Sequence, residues 1–228
     1  AGVQTCALPI LGRDRIGEKP LYYGWQGSSF MFASELKALK KHPAFKAEIS
    51  RESVCLFLRY SYVPAPYSIY SGIQKLEPGC LLSLPQNQRE PKIWKYWSAI
   101  DLIKKGINSP FSGTPLEAVD ELELLAKDAI KQQMLADVPL GAFLSGGKDS
   151  STVVALMQAQ STQKIKTFSI GFHEEGYNEA VYAKAVAQHL GTDHTELYVP
   201  PDIARAVIPN IPTLYDEPFS DSSQIPTY

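Results

Sequence analysis

Seven residues of this chain, Leu144-Ser145-Gly146-Gly147-Lys148-Asp149-Ser150, concentrate groups that could do chemistry on an anion. Gly146 and Gly147 carry no Cβ, so the backbone can turn sharply and its N–H groups can approach a phosphate closely. Ser145 and Ser150 add hydroxyl donors, and the positive end of a following helix adds its field. Asp149 by itself repels a phosphate. Its presence makes sense if Mg²⁺ stands between the carboxylate and the phosphate oxygens. The bland reading is an ordinary strand-to-helix turn, because Ser, Gly and Asp are common turn residues. The pattern Ser-Gly-Gly-x-Asp-Ser directly after an apolar run favours the nucleotide reading. Lys148 is either a surface lysine pointing away or a point charge within reach of pyrophosphate.

The elements around the loop must position it. The apolar residues 140–144 predict a short buried strand, and residues 151–157 read as a helix. Upstream, Thr114 is placed to cap a helix with Pro115 at its first position and Glu117 completing a capping box. Leu116, Val119, Leu122, Ala126, Ala129, Ile130 and Met134 recur at helical spacing up to residue 135. Downstream come a strand over 166–172, a helix over 179–190 closed by Gly191, and a strand over 194–199. Strand–helix–strand–helix–strand predicts a parallel sheet with covering helices. Ligands bind such sheets at the carboxyl ends of strands, where Ser145 and Gly171 fall.

The first third of the chain reads differently. Residues 21–25 and 30–33 flank a four-residue turn as a hairpin, and Ser34 is placed to cap a short helix over 35–41. Ser50 is placed to cap a helix to about residue 60, with Val54, Phe57 and Leu58 on its apolar side. Prolines make 62–67 extended, and 72–84 reads as two short strands around Glu77-Pro78-Gly79. Residues 86–112 are polar and Pro/Gly-bearing and read as a linker that packs on a neighbour through Trp94, Tyr96 and Trp97. The domain expectation is therefore an atypical 1–10, a first domain over 11–85, a linker over 86–113 and a second domain over 114–228.

Composition narrows the function classes. A net charge of −2 with no basic cluster offers no footprint for nucleic acid. No apolar run is long enough to span a membrane, and the first residues lack the basic region of a signal peptide. Cys6, Cys55 and Cys80 are odd in number and far apart, which argues against a disulfide framework or a zinc site and fits a reducing compartment. His42, His173, His189 and His194 lack metal-ligand spacing and read as surface or packing residues.

The loop is neither a Walker A sequence nor the Gly-x-Gly-x-x-Gly fingerprint. It resembles the PP-loop of ATP pyrophosphatases. The run from Ala136 to Gly147 is similar to the segment leading into the ATP site of glutamine-hydrolysing asparagine synthetases. Phe168-Ser169-Ile170-Gly171-Phe172 and Tyr177-Asn178-Glu179-Ala180-x-Tyr182-Ala183 resemble that family's next strand and helix. The run from Gly12 to Tyr23 is similar to the closing segment of class II glutamine amidotransferase domains. The resemblance implies an α/β chain: a parallel-sheet, Rossmann-like PP-loop domain of the adenine nucleotide alpha hydrolase type. Before it would come a β-rich remnant of an N-terminal-nucleophile glutaminase domain. It implies ATP-dependent adenylation of aspartate with release of pyrophosphate, then amidation by glutamine-derived ammonia, with AMP released. ATP and Mg²⁺ are the implied cofactors; glutamine and aspartate are the implied substrates, in a cytoplasmic homodimer. Ser145, Gly146, Gly147, Asp149 and Ser150 would face the pyrophosphate and Mg²⁺, with Asp149 holding the metal through pyrophosphate. Leu144, Ile170 and Gly171 would face adenine and ribose. Three other readings stay open: a related amidotransferase ligase with another acceptor (a cell-surface sugar or a β-lactam precursor), a tRNA-modifying ATP pyrophosphatase, and a truncated, non-catalytic nucleotide-binding protein.

Several residues depart from the family pattern or carry two readings. The family's nucleophile is an N-terminal cysteine whose own amine acts as base. Cys6 lies in a stretch that does not resemble the family's start and is not expected to be that nucleophile; residues 1–10 read as atypical, either foreign or mis-assembled sequence. The chain reaches Tyr228 before the family's second nucleotide-contacting loop, so an inactive fragment is expected. The position of Lys148 is more often aliphatic in asparagine synthetases, whereas Ser-Gly-Gly-Lys-Asp-Ser is familiar from tRNA-thiolating PP-loop enzymes. Arg13 and Asp14 read as a charge pair, across domains or in solvent. Asp216, Glu217 and Asp221 either face an ATP/Mg²⁺ site or, for 221–223, make a plain cap and turn.

Overall fold

A computed structural model describes residues 10–85, 88–173, 178–221 and 223–224. Cys6, Tyr177, Ser222 and Tyr228 lie outside the described residues. The chain divides into two compact units. One gathers the residues up to Pro110 together with Pro209–Gln224, and the other contains Phe111–Ile208.

The first unit is built on two antiparallel three-stranded sheets. β1 (Ile10–Gly12), β5 (Cys80–Ser83) and β6 (Lys92–Lys95) form one, in the order β1-β5-β6. β2 (Tyr22–Gln26), β3 (Ser29–Ala33) and β4 (Ile73–Lys75) form the other, in the order β3-β2-β4. Side chains alternate across a strand, so β2 sends Tyr22 and Tyr23 into different cores. Tyr22 joins Met31, Ile73, Val63 and Ile69 under Leu36 and Leu39 of a short helix, α1 (Leu36–Leu39). Tyr23 joins Leu11, Leu76, Cys80 and Leu82, which brings residues of both sheets into one core. α2 (Arg51–Tyr60) is capped by Ser50 as its sequence predicts, the Ser50 hydroxyl accepting the Ser53 N–H. α3 (Ala99–Asn108) buries none of its residues.

Four expectations need correction here. The hairpin turn has two residues, Gly27 and Ser28, because Gln26 and Ser29 pair in register and Gly27 supplies the positive φ of a tight turn. Ser34 does not cap α1; the cap position is Glu35, which makes no side-chain cap bond. The stretch expected as a linker holds β6 and α3. Its periodic signal is weak because all four β6 residues are exposed, which leaves no alternation to read. Within it, Tyr96 donates from its hydroxyl to the Arg13 carbonyl and the Trp97 N–H reaches the Gly79 carbonyl, both inside the first unit.

The second unit starts with α4 (Pro115–Gln133), whose capping box forms in full. A parallel sheet follows, in the order β7-β8-β9, from β7 (Gly141–Phe143), β8 (Lys166–Gly171) and β9 (Asp193–Tyr198). α5 (Lys148–Ala159) connects β7 to β8, and α6 (Ala180–Leu190), ending on the left-handed Gly191, leads to β9. α7 (Pro201–Val207) closes the unit. Its core places Leu144 and Val154 against Ala183 and Ala187 of α6. β7 corrects the expectation of a buried strand: it is an edge strand, and Phe143 is 75% exposed. Of the apolar run, Leu144 is the residue that turns fully inward.

Candidate functional site

The candidate site is the turn from β7 into α5. Leu144 anchors it: the side chain is buried, and its N–H donates to the Phe168 carbonyl at 2.8 Å, continuing the parallel ladder one step beyond β7. The register Phe143↔Phe168 sets Ser145 beside Ile170 at the carboxyl edge of the sheet. Gly146 then takes φ +78°. A Cβ there would lie 2.6 Å from the Ala183 nitrogen and 2.6 Å from Tyr182 Cβ, so the loop rests directly on the first turn of α6. Gly147 has an ordinary φ of −72° and is the cap residue of α5, with no side chain accepting from the helix's first N–H groups.

Two hydroxyls stiffen the turn. Ser145 Oγ and Ser150 Oγ lie 2.9 Å apart. Ser150 Oγ accepts the Ser145 N–H at 3.3 Å, and Ser145 Oγ accepts the Gly147 N–H at 3.3 Å. Ser145, Gly147, Lys148 and Asp149 are exposed, while Gly146 and Ser150 are half-buried. Lys148 is the first residue of α5, and no carboxylate pairs with it among the described residues. Ile170 and Gly171 end β8, and a Cβ on Gly171 would fall 2.7 Å from the Tyr198 ring. The buried Oγ of Ser151 has no hydrogen-bond partner.

This geometry fits an anion held by backbone. An uncapped twelve-residue helix presents its first N–H groups beside an exposed glycine turn and a pair of hydroxyls. Asp149 supplies an exposed carboxylate in the first turn of that helix, a hard oxygen ligand suited to Mg²⁺ shared with phosphate oxygens. Among the described residues no group of three or more His, Cys, Asp and Glu is placed to hold a metal ion. Tyr182 and Ala183, on which Gly146 rests, were not singled out for a role.

Other candidates resolve into structural roles. His194 is a packing histidine: its Nδ1 lies 2.9 Å from Thr167 Oγ1 and its Nε2 lies 3.2 Å from Ser169 Oγ, between β8 and β9. Hydroxyls can serve as donor or acceptor, so they satisfy either tautomer. His173 stacks on Tyr198, with ring centroids 5.3 Å apart. Asp221 accepts the Ser223 N–H at 2.7 Å, the turn role expected of it.

Arg13 and Asp14 do not pair with each other. Asp14 accepts four consecutive N–H groups, from Ile16, Gly17, Glu18 and Lys19. Desolvation pushes its carboxyl up, but the four N–H groups outweigh it and hold it below the ordinary value. The Arg13 guanidinium donates to the carbonyls of Lys19, Leu76 and Gly17. Arg13 and Asp14 are thus the internal frame of the Gly12-to-Tyr23 segment. Asp216 and Glu217 have structural partners as well: their carboxylates accept from Leu36, Lys37 and Ile69 in the first unit.

Comparison with known proteins matches the chain to two family models. Residues 121–228 match the asparagine synthase family model, and residues 5–97 match the glutamine amidotransferase domain model. The Methanocaldococcus jannaschii protein named "Putative asparagine synthetase (glutamine-hydrolyzing) 2" is 40% identical over 224 residues, covering 97% of this chain and 42% of the relative. Asparagine synthetase (glutamine-hydrolyzing) 1 of Bacillus subtilis is 31% identical over 217 residues, covering 95% of this chain and 33% of the relative. The chain therefore spans less than half the length of these relatives. Two family models in tandem, together with relatives that match across both, show that the chain belongs to the glutamine-hydrolysing asparagine synthetase family.

Proposed function

We propose that this chain carries the nucleotide-binding part of an ATP-dependent asparagine synthase, and that the β7–α5 turn is its PP-loop in a Rossmann-like arrangement. The observation that carries the reading is the uncapped N-terminus of α5 beside the Gly146–Gly147 turn, inside the region that matches the synthase family. Ser145, Gly146, Gly147 and Ser150 hold the pyrophosphate portion of ATP through N–H and hydroxyl groups. Asp149 would hold Mg²⁺. Leu144, Ile170 and Gly171 border the adenosine, with backbone groups making most of the contact. Lys148, unpaired among the described residues, adds a positive charge where pyrophosphate would depart. When bound, Mg²⁺ supplies charge neutralisation at the phosphates.

In the whole protein, glutamine hydrolysed in the amidotransferase half supplies ammonia, and aspartate activated as its adenylate accepts it. The bond formed is the β-amide C–N bond, and AMP leaves with the acyl–phosphate electron pair. The first unit's frame around Arg13 and Asp14 belongs to that amidotransferase half. Cytoplasmic location and a homodimer complete the proposal by family likeness.

Thermal unfolding of the chain with Mg-ATP tests the site. At a ligand concentration about 100-fold over Kd, binding adds about 2.7 kcal/mol to stability, a shift easily read in a melt. AMP, lacking the pyrophosphate portion, is expected to stabilise less. No shift at millimolar Mg-ATP, or equal shifts with AMP, overturns the assignment of the loop to pyrophosphate.

A further inference from the structure

Asp216 and Glu217 lie in the synthase-family portion of the sequence, yet both are fixed inside the unit that carries the amidotransferase match. The segment starts at α8 (Ile211–Leu214) and runs through Ser220. Asp216 Oδ2 accepts the Leu36 N–H at 2.6 Å and Oδ1 accepts the Lys37 N–H at 3.0 Å. These are the first N–H groups of α1, which has no cap of its own. Lys37 Nζ returns a bond to the Leu214 carbonyl at 3.1 Å. Glu217 Oε1 accepts the Ile69 N–H at 2.7 Å, and its carboxylate forms an ion pair with Lys75. The ammonium also donates to the Val63 carbonyl. The Glu217 and Lys75 side chains are 9% and 12% exposed. The Ser220 N–H closes the segment onto the Ser61 carbonyl at 2.7 Å. Tyr215 and Phe219 pack edge-on between these points, with centroids 4.6 Å apart.

The chemistry makes these contacts mutually dependent. A carboxylate withdrawn from water is tolerated only while its partners satisfy it, and removal of either partner leaves a charge buried without compensation. Glu217 and Lys75 are bound by that condition, and Asp216 is bound to the N–H groups it caps. The segment lies within Pro209–Gln224, which belongs to the first unit, while the chain before it, up to Ile208, belongs to the second.

We propose that residues 214–220 are an acidic clasp whose two carboxylates open and close together with α1 and the loop 66–71 as one cooperative unit. Through it, any event in the amidotransferase-family half that moves α1 or this loop also frees a stretch of the synthase-family sequence. Asp216 and Glu217 are thus positioning residues. A cavity of about 330 Å³ beside the clasp is lined by Tyr22, Tyr62, Lys37 and Glu217, and leaves the segment room to swing when its bonds break.

Hydrogen exchange on the whole chain tests cooperativity against a set of independent contacts. Glu217→Gln touches the Ile69 amide, Lys75 and the Tyr22 hydroxyl, and has no bond to α1. The clasp predicts that this substitution speeds exchange about tenfold or more at Leu36 and Lys37 as well as at Ile69. Asp216→Asn should do the reverse, exposing Ile69 and Ser220. Effects confined to each residue's own partners overturn the proposal. Where either variant fails to fold, native-state exchange of the unsubstituted chain in mild denaturant decides. The Leu36, Lys37, Ile69 and Ser220 amides should merge onto one opening isotherm, and four separate isotherms would sink the clasp.

Discussion

Adding one methyl group at Gly146 tests whether the loop is held in its cradle by backbone contact. The residue has φ +78°, which an L side chain adopts at a cost of roughly 1–2 kcal/mol. The new Cβ would also lie 2.6 Å from the Ala183 nitrogen. That atom is backbone in the first turn of α6, so it cannot rotate aside, and overpacking of this kind costs about 1–3 kcal/mol. A smaller unfolded-state entropy returns about 0.4–1 kcal/mol. The net expectation for Gly146→Ala is a loss of roughly 2–4 kcal/mol. Gly147→Ala is the control, because its φ is −72° and the nearest atom to a Cβ is the Ser145 hydroxyl at 3.3 Å, which can turn away. That change should cost less than about 1 kcal/mol. Urea unfolding followed by far-ultraviolet circular dichroism reads both. Trp25, Trp94 and Trp97 all lie in the first unit, so tryptophan fluorescence reports on the wrong half of the chain. Equal midpoints for the two variants would refute the close approach of loop and α6.

Three further outcomes follow from the same contacts. Asp14 has a carboxyl held below its ordinary 3.8, so its contribution is present above that value and is lost as pH falls through the lower, folded value. Stability measured from about pH 6 to about pH 3 should therefore fall less in Asp14→Asn than in the parent, and parallel curves would count against the four-bond cradle. Lys148→Leu should weaken Mg-ATP binding several-fold, about 0.5–1 kcal/mol for an exposed charge, while leaving the melting temperature without ligand unchanged. Unchanged affinity by calorimetry assigns Lys148 to solvent. Thr114→Ala removes the hydroxyl that accepts the Glu117 N–H and should cost about 0.5–2 kcal/mol, read by urea unfolding; no loss would mean that the capping box does not hold α4.

Elements governed by neighbours in sequence were legible before any coordinates. Thr114, Pro115 and Glu117 lie within four residues, so the start of α4 and its capping box follow from the text alone. The same holds for Ser50 before α2 and for Gly191 after α6, which adopts φ +71°. The β7–α5 turn was legible because a glycine pair between an apolar run and a helical run has few other uses. What that text lacked was the surface on which Gly146 rests. Tyr182 and Ala183 are nearly forty positions away, and nothing in their types announces that their backbone will be approached.

The acidic residues of the chain sharpen this division between local and distant signals. An Asp or Glu read alone is ambiguous between metal ligand, cap and solvated charge, because all three use the same two oxygens. Asp14 settles locally, since its four donors are residues 16–19. Asp216 and Glu217 settle only through donors at Leu36, Lys37, Ile69 and Lys75, more than 140 positions upstream. The failed cap at Ser34 and the unread role of Asp216 therefore have one cause. α1 begins where a distant carboxylate meets its N–H groups, so a search for a neighbouring cap selects the wrong residue, while the true cap looks unemployed. A carboxylate near the end of a chain and a short helix without a cap near its beginning are each weak signals. Together they form a testable pairing, because a helix start of this kind leaves donors that must be satisfied from somewhere.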